Sequence, residues 1–411
     1  MSLYIKNKNK PDLASNKCTP IIYLNIPILF LQVFIIIFSL FFRMKKSMYC
    51  DPFTHHYYFL QNVSLPIVFY MYNFSQPKYA DYFPYTNPKI INKVEYYFEP
   101  YLLSFVRSQC YITQNANKAD LFYIPLFFSM MMFTDGALPI NNLIEKLEYW
   151  SLHGGVDHII VFNIFSFWRA TIQEKDEYML PCMLSFADVK WNIAERYPLL
   201  MMRYTILPYS SFFKLSRHYN INRNNLLFFI GSTLLSTFDE TACELRSEIL
   251  EFASNIPFSR IVIKERGKYT YDLTNGFAVE RMMRDSIFCL VPLGDSPSSK
   301  RIYDALNALS IPIVVSDYIR FPFEDIFLNY SKILIQIPIH NYKNELPSIL
   351  SKSNSQFIFR MQKNMRIASD FFLLRDKNIP QNSVFWAWGI SQLAKLCYIS
   401  TVMRRSLLKE D

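Results

Sequence analysis

Short apolar runs alternate with segments of helical periodicity along most of this 411-residue chain. The runs at 65–72, 119–128 and 153–166 have the continuous Phe, Ile, Leu and Val content of buried strands. Between them, the segments 91–108 and 141–152 place apolar residues at helical spacing. Buried parallel sheets covered by helices have strands of this kind, so the alternation predicts βαβ units and an α/β fold.

The alternation begins again after residue 220, following a polar segment at 214–225. We therefore predict two Rossmann-like lobes, at 63–220 and 221–380, and a final helical segment, 381–411, that returns to the first lobe. Ligands of open parallel sheets bind at the carboxyl ends of the strands, so the site is expected in the cleft between the lobes. In the second lobe we predict strands at 226–232, 260–265, 287–294, 311–317 and 332–338, and helices at 240–254, 276–286 and 299–309, with a terminal helix at 384–407.

The formal charge of +9 favours an anionic partner such as a nucleotide phosphate, an acidic glycan, a nucleic acid or a lipid headgroup. Charge alone does not choose among these partners. No nucleic-acid recognition motif accompanies it, so we do not expect a nucleic-acid partner. The seven cysteines form no Cys-x-x-Cys pair and no Cys/His spacing suited to zinc, so no metal site is expected either.

Residues 21–42 contain no charged side chain and are long enough to cross a hydrocarbon core of about 30 Å as a helix. The bulky residues that follow do not resemble a signal-peptide cleavage site, which favours an uncleaved membrane anchor. The anchor separates a cytoplasmic tail, 1–20, from a short stem, 43–62. Lysine and arginine flank both ends, so the orientation rests on three Asn-X-Ser sequons that are glycosylated only on the lumenal side: Asn62, Asn73 and Asn329.

The stretch CLVPLGDSPSSKRIYDAL, residues 289–306, runs from a predicted strand through a hydroxyl-rich turn into a predicted helix. Ser298 or Ser299 can cap that helix, whose free N–H groups attract an anion. Arg301 adds donors suited to phosphate oxygens, and Asp304 can accept hydrogen bonds from a ribose or orient Arg301. A capped helix with a solvated charge pair has the same pattern, so both interpretations stay open at this point.

The longer stretch FCLVPLGDSPSSKRIYDALNALSIPIVVSDYIRFPFED resembles the signature of exostosin-like glycosyltransferases, glycosyltransferase family 47. Four further blocks are similar to the remaining blocks of that family, in the same order. They are KADLFYIPLFF at 118–128, GGVDHIIVFNIFS at 154–166, LLFFIGS at 226–232 and NSVFWAWGISQLAKL at 382–396.

This resemblance implies a GT-B fold, with a nucleotide-sugar donor in the second lobe and a glycan acceptor bound mainly by the first. It implies transfer with inversion from a UDP-sugar, without a metal or other cofactor, because protein cations and helix N-termini stabilise the leaving diphosphate. It also implies a Golgi type II membrane protein, anchored by 21–42, whose body is lumenal. Homo- or hetero-oligomers with other glycosyltransferases are a further expectation.

Residue by residue, the resemblance assigns Arg301 to the diphosphate, Ser298 and Ser299 to phosphate hydrogen bonds, and Asp304 to the ribose. Three further positions complete the predicted donor site: Gly294, Asp295 and Arg320.

Inverting transfer also needs a general base for the acceptor hydroxyl, and three carboxylates are candidates: Glu324, Glu174 and Asp176. Many plant-type relatives carry His-Asp where this chain has Ile164 and Phe165, and a carboxylate where it has Arg320. These departures support a second hypothesis, a non-catalytic member that binds glycan or supports a glycosyltransferase complex.

Two other patterns have both a functional and a structural interpretation. Asp157 and His158 resemble an acid–base pair, but they begin their strand, so we interpret them as structural residues that tie the Gly-Gly turn. Trp386 and Trp388 offer aromatic faces for a sugar, but we interpret them as packing residues of the closing helix.

Overall fold

The structure is a computed structural model that describes most of the chain beyond residue 67. All the described residues belong to one unit, Phe53–Asp411. None of their helices is both long enough and apolar enough to cross a bilayer. The predicted tail, anchor and stem lie outside the described residues, as do Asn62, Glu174, Asp176, Asp295 and Trp386. The described residues are 68–78, 98–109, 111–127, 140–152, 154–162, 183–186, 204–209, 211, 213–233, 240–263, 276–294, 298–317, 319–324, 328–372, 388 and 392.

The first half of the chain forms a six-stranded sheet in which every neighbouring pair is parallel. The spatial order is β2-β1-β3-β4-β5-β6, so the chain reverses direction across the sheet between β1 and β3. This order confirms the predicted βαβ arrangement. The strands are β1 Val68–Met71, β2 Tyr111–Thr113, β3 Leu121–Tyr123, β4 His158–Phe162, β5 Met183–Phe186 and β6 Tyr204–Ile206, and the helices are α1 Phe98–Gln109 and α2 Ile140–Lys146.

The second half forms a five-stranded parallel sheet with the order β11-β10-β9-β7-β8. Read from its other edge, this is the same order as in the first sheet, with the reversal between β7 and β9. All five residues of β10 are buried, as expected of a central strand covered by helices on both faces. The strands are β7 Asn225–Gly231, β8 Ser259–Ile263, β9 Ser286–Pro292, β10 Ile311–Val315 and β11 Ile335–Ile337, and the helices are α3 Glu240–Ser254, α4 Gly276–Arg284, α5 Lys300–Ala308, α6 Tyr342–Lys352 and α7 Ser355–Ala368.

The strand predicted at 332–338 is shorter in the structure, where Tyr330–Lys332 forms a 3₁₀ turn before β11. The reason is local, because the side chain of Asn329 accepts a hydrogen bond from the backbone N–H of Ser331, 3.1 Å away. An asparagine that bonds the backbone two residues ahead favours a turn over an extended strand. The sequence analysis also did not predict α6 and α7, although Asn354 caps α7 by accepting from the N–H of Phe357 at 2.9 Å.

Asp157 and His158 are buried, which confirms their interpretation as structural residues. The Nδ1 of His158 lies 2.8 Å from Oδ1 of Asp157, and its Nε2 lies 2.7 Å from the hydroxyl of Tyr72. The backbone N–H of His158 donates to the carbonyl of Gly155, 3.0 Å away, and so closes the Gly-Gly turn. A histidine with both ring nitrogens engaged inside the core joins the start of β4 to the end of β1.

Trp388 is fully buried against the first sheet, so it packs the core and is not exposed to a sugar. Its ring stacks on Phe69 with centroids 6.0 Å apart and meets Tyr123 edge-on at 6.4 Å. One turn later, Nε2 of Gln392 donates to Oγ1 of Thr205 at 2.8 Å. The two described residues of the C-terminal segment therefore contact the first sheet, Trp388 at β1 and β3 and Gln392 at β6.

Candidate functional site

The candidate site lies at the carboxyl ends of β7 and β9, where the strand order of the second sheet reverses. β7 pairs with β8 on one side and with β9 on the other, so the segments that follow β7 and β9 leave the sheet in opposite directions. A crevice at this kind of switch point is where open parallel sheets bind their ligands. The motif singled out from the sequence leaves the sheet at this point, and its Gly294 lies two residues beyond the end of β9.

Arg301 lies in the first turn of α5 and turns towards β7. Its Nη2 donates to the carbonyl of Ile230 at 2.5 Å, and its Cζ lies 4.4 Å from the centroid of the Phe229 ring. Burial lowers the pKa of Arg301, while the neighbouring Cys289 and Asp304 act in the opposite direction. A guanidinium remains protonated in proteins, so the contacts fix a positive charge at the end of β7.

Gly231 makes room for this guanidinium. A Cβ atom built at Gly231 would lie 2.8 Å from Nη2 of Arg301 and 2.9 Å from the ring of Phe229. Either approach is closer than a real Cβ atom tolerates, so a larger residue here displaces Arg301 or the ring. The glycine in LLFFIGS is therefore required by the position of Arg301.

Ser299 is the residue that caps α5. Its Oγ accepts a hydrogen bond from the backbone N–H of Arg301 at 3.3 Å. The neighbouring Ser298 forms a hydrogen bond with the phenol of Tyr303. The structure thus brings the two predicted serines and Arg301 together at the start of one helix. Gly294, in the segment that follows β9, is partly buried.

Asp304 is held by Lys300 and by the segment that follows the first sheet. Both carboxylate oxygens of Asp304 lie 2.8 Å from Nζ of Lys300, and Oδ1 also accepts from the hydroxyl of Ser211 at 2.6 Å. Its bonded partner is therefore Lys300 and not Arg301. The ribose contact assigned to Asp304 stays a prediction.

Arg246 is a buried cation that the sequence analysis missed. Its Nε donates to the carbonyl of Ser232 at 2.8 Å, and its Nη1 donates to the carbonyls of Pro292, at 3.4 Å, and Leu293. Its Cζ also lies over the Phe229 ring, 5.3 Å from the centroid. Arg246 therefore joins the ends of β7 and β9, and places a second guanidinium over the ring that Arg301 contacts.

A signal for Arg246 was present in the sequence of α3. The buried residues of this helix include Ile249, Leu250 and Ala253, and Arg246 lies on the same stripe, three residues before Ile249. An arginine on the apolar face of an amphipathic helix needs buried acceptors. Here the acceptors are strand-end carbonyls, which leave no trace in the sequence pattern.

Arg320 and Glu324 pair with each other in the turn after β10. Nε of Arg320 lies 2.8 Å from Oε1 of Glu324. Phe323, between them, has a left-handed backbone with φ of 59°, and the hydroxyl of Tyr330 supports the turn by donating to the carbonyl of Pro322 at 2.8 Å. An aromatic residue seldom adopts this conformation, so the turn is held by its surroundings.

Glu324 also lies near α5. Burial raises the pKa of Tyr303, and the charge of Glu324 raises it further. The structure thus places one predicted carboxylate near the predicted donor residues, in an ion pair with another predicted residue. The other two candidate bases, Glu174 and Asp176, lie outside the described residues.

The groups that meet at this site are of the kind that bind an anion. Two guanidinium groups, the amino terminus of a nine-residue helix and its serine cap meet at the carboxyl ends of adjacent strands. A helix amino terminus and fixed cations at such a point match the oxygens of a phosphate group. The class of protein so defined is an α/β protein that brings two arginines and a helix amino terminus together at the switch point of its second sheet.

Comparison with known proteins identifies the family. The Exostosin GT47 domain matches residues 63–353, which cover both sheets and all the site residues described above. The chain therefore belongs to the exostosin family of glycosyltransferases, GT47, as its sequence motifs indicated.

Curated relatives of the chain carry glycosyltransferase names. It is 27% identical over 290 residues to the "Probable arabinosyltransferase ARAD1" of Arabidopsis thaliana, covering 66% of this chain and 60% of that protein. It is 25% identical over 288 residues to the "Probable beta-1,4-xylosyltransferase IRX10" of the same plant, covering 64% and 67%. It is 24% identical over 289 residues to the "Probable glucuronosyltransferase GUT1" of Oryza sativa subsp. japonica, covering 64% and 66%.

A solved structure named "Crystal structure of GtfA/B complex" aligns with a TM-score of 0.36 and 10% identity, over 67% of this chain and 57% of that chain. This likeness is too distant to add to what the two sheets establish. The α/β fold assignment therefore rests on the strand order and register of the chain itself.

Arg246→Met keeps the length and apolar stem of the side chain but removes its hydrogen bonds to three strand-end carbonyls. We expect the free energy of unfolding to fall by roughly 3 kcal/mol, the scale for buried acceptors that lose a charged donor. Urea denaturation followed by circular dichroism measures the change. Arg260→Met, at an exposed position on β8, is the matched control and should shift it by less than about 0.5 kcal/mol. Equal stability of the two variants would contradict the role assigned to Arg246.

Proposed function

We propose that the chain is an inverting glycosyltransferase that transfers a sugar from a UDP-sugar to a polysaccharide or a glycoprotein glycan. Membership of the exostosin family supports this proposal, as do the glycosyltransferase names of its relatives. The single observation that carries it is the pair of guanidinium groups, from Arg246 and Arg301, over the Phe229 ring at the strand-order reversal. Two parallel α/β sheets are also the composition of the GT-B fold, which we propose for this chain.

In this proposal the diphosphate of the donor binds at the start of α5. Arg301, whose Nη2 is held by the carbonyl of Ile230, presents its remaining guanidinium donors to the phosphate oxygens. The backbone N–H groups at the α5 start, near Ser298 and Ser299, supply further donors, and Gly294 lets the chain approach closely. As the bond to the sugar breaks, negative charge grows on the leaving diphosphate, and donors fixed in advance stabilise it without reorganising.

Lys300 and Asp304 form the side of the site that faces the first sheet. Their ion pair is held by Ser211, which follows β6, so it lies where the segment between the two sheets passes α5. We assign Asp304 to the ribose of the donor. The lone pairs of its carboxylate that do not accept from Lys300 or Ser211 would accept hydrogen bonds from the ribose hydroxyls. Asp295, which follows Gly294 in the sequence and lies outside the described residues, is proposed as a further donor contact.

For the acceptor hydroxyl we propose a carboxylate base, and Glu324 is the candidate that the structure describes near α5. Its Oε1 is held in an ion pair with Nε of Arg320, 2.8 Å away, which fixes the position of the carboxylate beside α5. Glu174 and Asp176 remain alternative bases in the first lobe. Many relatives carry a carboxylate at the position of Arg320. We propose that this change from a negative to a positive charge alters the preference for the donor sugar.

We further propose that the protein is a Golgi type II membrane protein, anchored by residues 21–42 with its body in the lumen. Two of the sequons lie at exposed turns, so they are accessible to the glycosylation that a lumenal body would receive. The side-chain carbonyl of Asn73 accepts from the hydroxyl of Ser75 at 2.6 Å, and that of Asn329 accepts from the hydroxyl of Ser331 at 2.7 Å. Glycosylation at these turns, and oligomers with other glycosyltransferases, are part of the proposal.

A non-catalytic subunit that binds glycan or supports a glycosyltransferase complex is the alternative function. One observation favours it, the ion pair in which Arg320 neutralises Glu324. Binding of UDP, with neither donor hydrolysis nor transfer to any acceptor glycan, would establish this alternative. Release of UDP from a UDP-sugar in the presence of a glycan would exclude it.

Arg301→Gln should weaken binding of UDP to the purified protein at least about ten-fold, since a charged hydrogen bond contributes roughly 1.5–3 kcal/mol. Isothermal titration calorimetry measures the affinity. Arg281→Gln removes the same charge at an exposed position on α4 and should leave the affinity unchanged. If the Arg301 variant bound UDP as tightly as the Arg281 variant, Arg301 would not belong to the donor site.

Gly231→Ala should also weaken UDP binding several-fold although it removes no charge, because the new Cβ displaces Arg301 or Phe229 by steric overlap. Gly276→Ala is the matched control, since a Cβ atom at Gly276 meets no other atom within 4 Å. Calorimetry on both variants, after their melting temperatures are compared, separates misplacement of the guanidinium from loss of the fold. UDP binding that is intact in Gly231→Ala would contradict the claim that the position of Arg301 requires a glycine at residue 231.

A further inference from the structure

A surface away from the candidate site combines exposed aromatic rings with arginine and lysine. It is formed by the segment 217–220 and by α7, and we call it the aromatic–basic face. Its members are Arg217, Tyr219, Phe359, Lys363 and Arg366, and all five are exposed.

The two aromatic rings of this face contact each other at the surface. Tyr219 and Phe359 meet edge to face, with centroids 5.3 Å apart and planes at 74°. Tyr219 is 37% exposed and Phe359 is 46% exposed. Rings exposed to this degree present a face to solvent without protruding far from the protein.

The segment 217–220 is fixed to α7 over consecutive turns of the helix. The buried Gln362 accepts from the backbone N–H of Asn220 at 3.1 Å and donates to its carbonyl at 2.8 Å. Nη1 of Arg366 donates to the carbonyl of Arg217 at 2.7 Å, and its Cζ lies 5.4 Å from the centroid of the Tyr219 ring. The rings and cations therefore hold their arrangement without a ligand, which lowers the entropic cost of binding one.

The two segments that form the face contribute charge of one sign. Neither the segment 213–225 nor α7 contains an aspartate or glutamate, and the first acidic residue after α7 is Asp370. Arg284 donates to the backbone carbonyl of Lys214 and is also paired with Glu280, so an acidic residue belongs to the surroundings of Lys214. We therefore leave Lys214 out of the face. An anionic partner is the one that fits the cations that remain.

We propose that the aromatic–basic face binds an acidic polysaccharide whose sugars carry carboxylate groups. The apolar C–H face of a pyranose stacks on the Tyr219–Phe359 pair, and the carboxylate is bonded directly to the same ring, within reach of Arg366 and Lys363. A guanidinium matches a carboxylate through two parallel hydrogen bonds.

Two other polyanions fit the observations less well. A membrane surface favours aromatic side chains that protrude into the acyl region, whereas these rings are half-covered. A single nucleic-acid strand needs successive stacking platforms for successive bases, and the described surface offers one pair.

The face is separate from the donor site. α5 begins at the carboxyl end of the second sheet, whereas the segment 213–220 passes its other end, where the N–H of Ser216 donates to the carbonyl of Asn307 at 2.8 Å. A glycan held here would be retained by the protein independently of the donor. Binding of a glycan at this face therefore does not depend on the proposed activity.

The test is binding of oligogalacturonate to the purified full chain, compared with the same oligomer after methyl esterification, which removes only the charge. We expect the acid form to bind and the ester to bind at least about ten-fold more weakly. Arg366→Gln and Phe359→Ala should each weaken binding of the acid form at least about five-fold. Arg260→Gln, which removes one exposed charge elsewhere, should not. Melting temperatures and UDP affinity are measured on every variant, and both are expected to stay unchanged.

Equal binding of the acid and ester oligomers would overturn the proposal, because charge would then contribute nothing. If Arg366→Gln and Arg260→Gln weakened binding of the acid oligomer equally, the proposal would also be overturned. The binding would then depend on the net charge of the protein and not on the residues of the face. Binding of anionic phospholipid vesicles or of oligo-uridylate that is lost in Arg366→Gln, with no binding of oligogalacturonate, would assign the face to another partner.

Discussion

The structure depends on a reversal of strand order that gathers positive charge at one point. Between β7 and β9 the helices α3 and α5 leave the sheet on different sides, and each sends an arginine back to the end of β7. Both guanidinium groups lie over one phenylalanine ring, and backbone carbonyls accept their hydrogen bonds. Carbonyl dipoles compensate part of the cost of burying these charges, but they do not neutralise them. An anion at the same point would be attracted to both guanidinium groups, and the diphosphate leaving group of the proposed reaction is an anion.

The same helix that carries the site also meets the segment joining the two sheets. Ser211 donates to Asp304, and Nδ2 of Asn307 donates to the carbonyl of Phe213 at 3.1 Å. At the other end of the chain, Trp388 and Gln392 contact the first sheet. α5 is therefore positioned from both directions, by the second sheet beneath it and by the chain that arrives from the first.

Much of this could be predicted from the sequence, because buried strands and helix caps depend on local patterns. Continuous apolar runs indicated β1, β3 and β4 of the first sheet and the strands of the second sheet, whereas β2, β5 and β6, of three or four residues each, were not predicted. The serines before Lys300 indicated the start of α5. The family signature singled out Arg301. Its neighbour Arg246 is distant in sequence, and its partners are carbonyls, which every residue possesses. The role of Gly231 was hidden for a similar reason, since the atom that fills its space belongs to a residue 70 positions away. The donor contacts of Ser298, Asp295 and Asp304 remain predictions, as do the candidate bases.

The most direct measurement of the central claim is a crystal structure of the protein with UDP bound. The account predicts a phosphate oxygen within about 2.7–3.2 Å of the Arg301 guanidinium and of a backbone nitrogen at the start of α5, at hydrogen-bond distance. A nucleotide bound elsewhere, with Arg301 still bonded only to the carbonyl of Ile230, would contradict it.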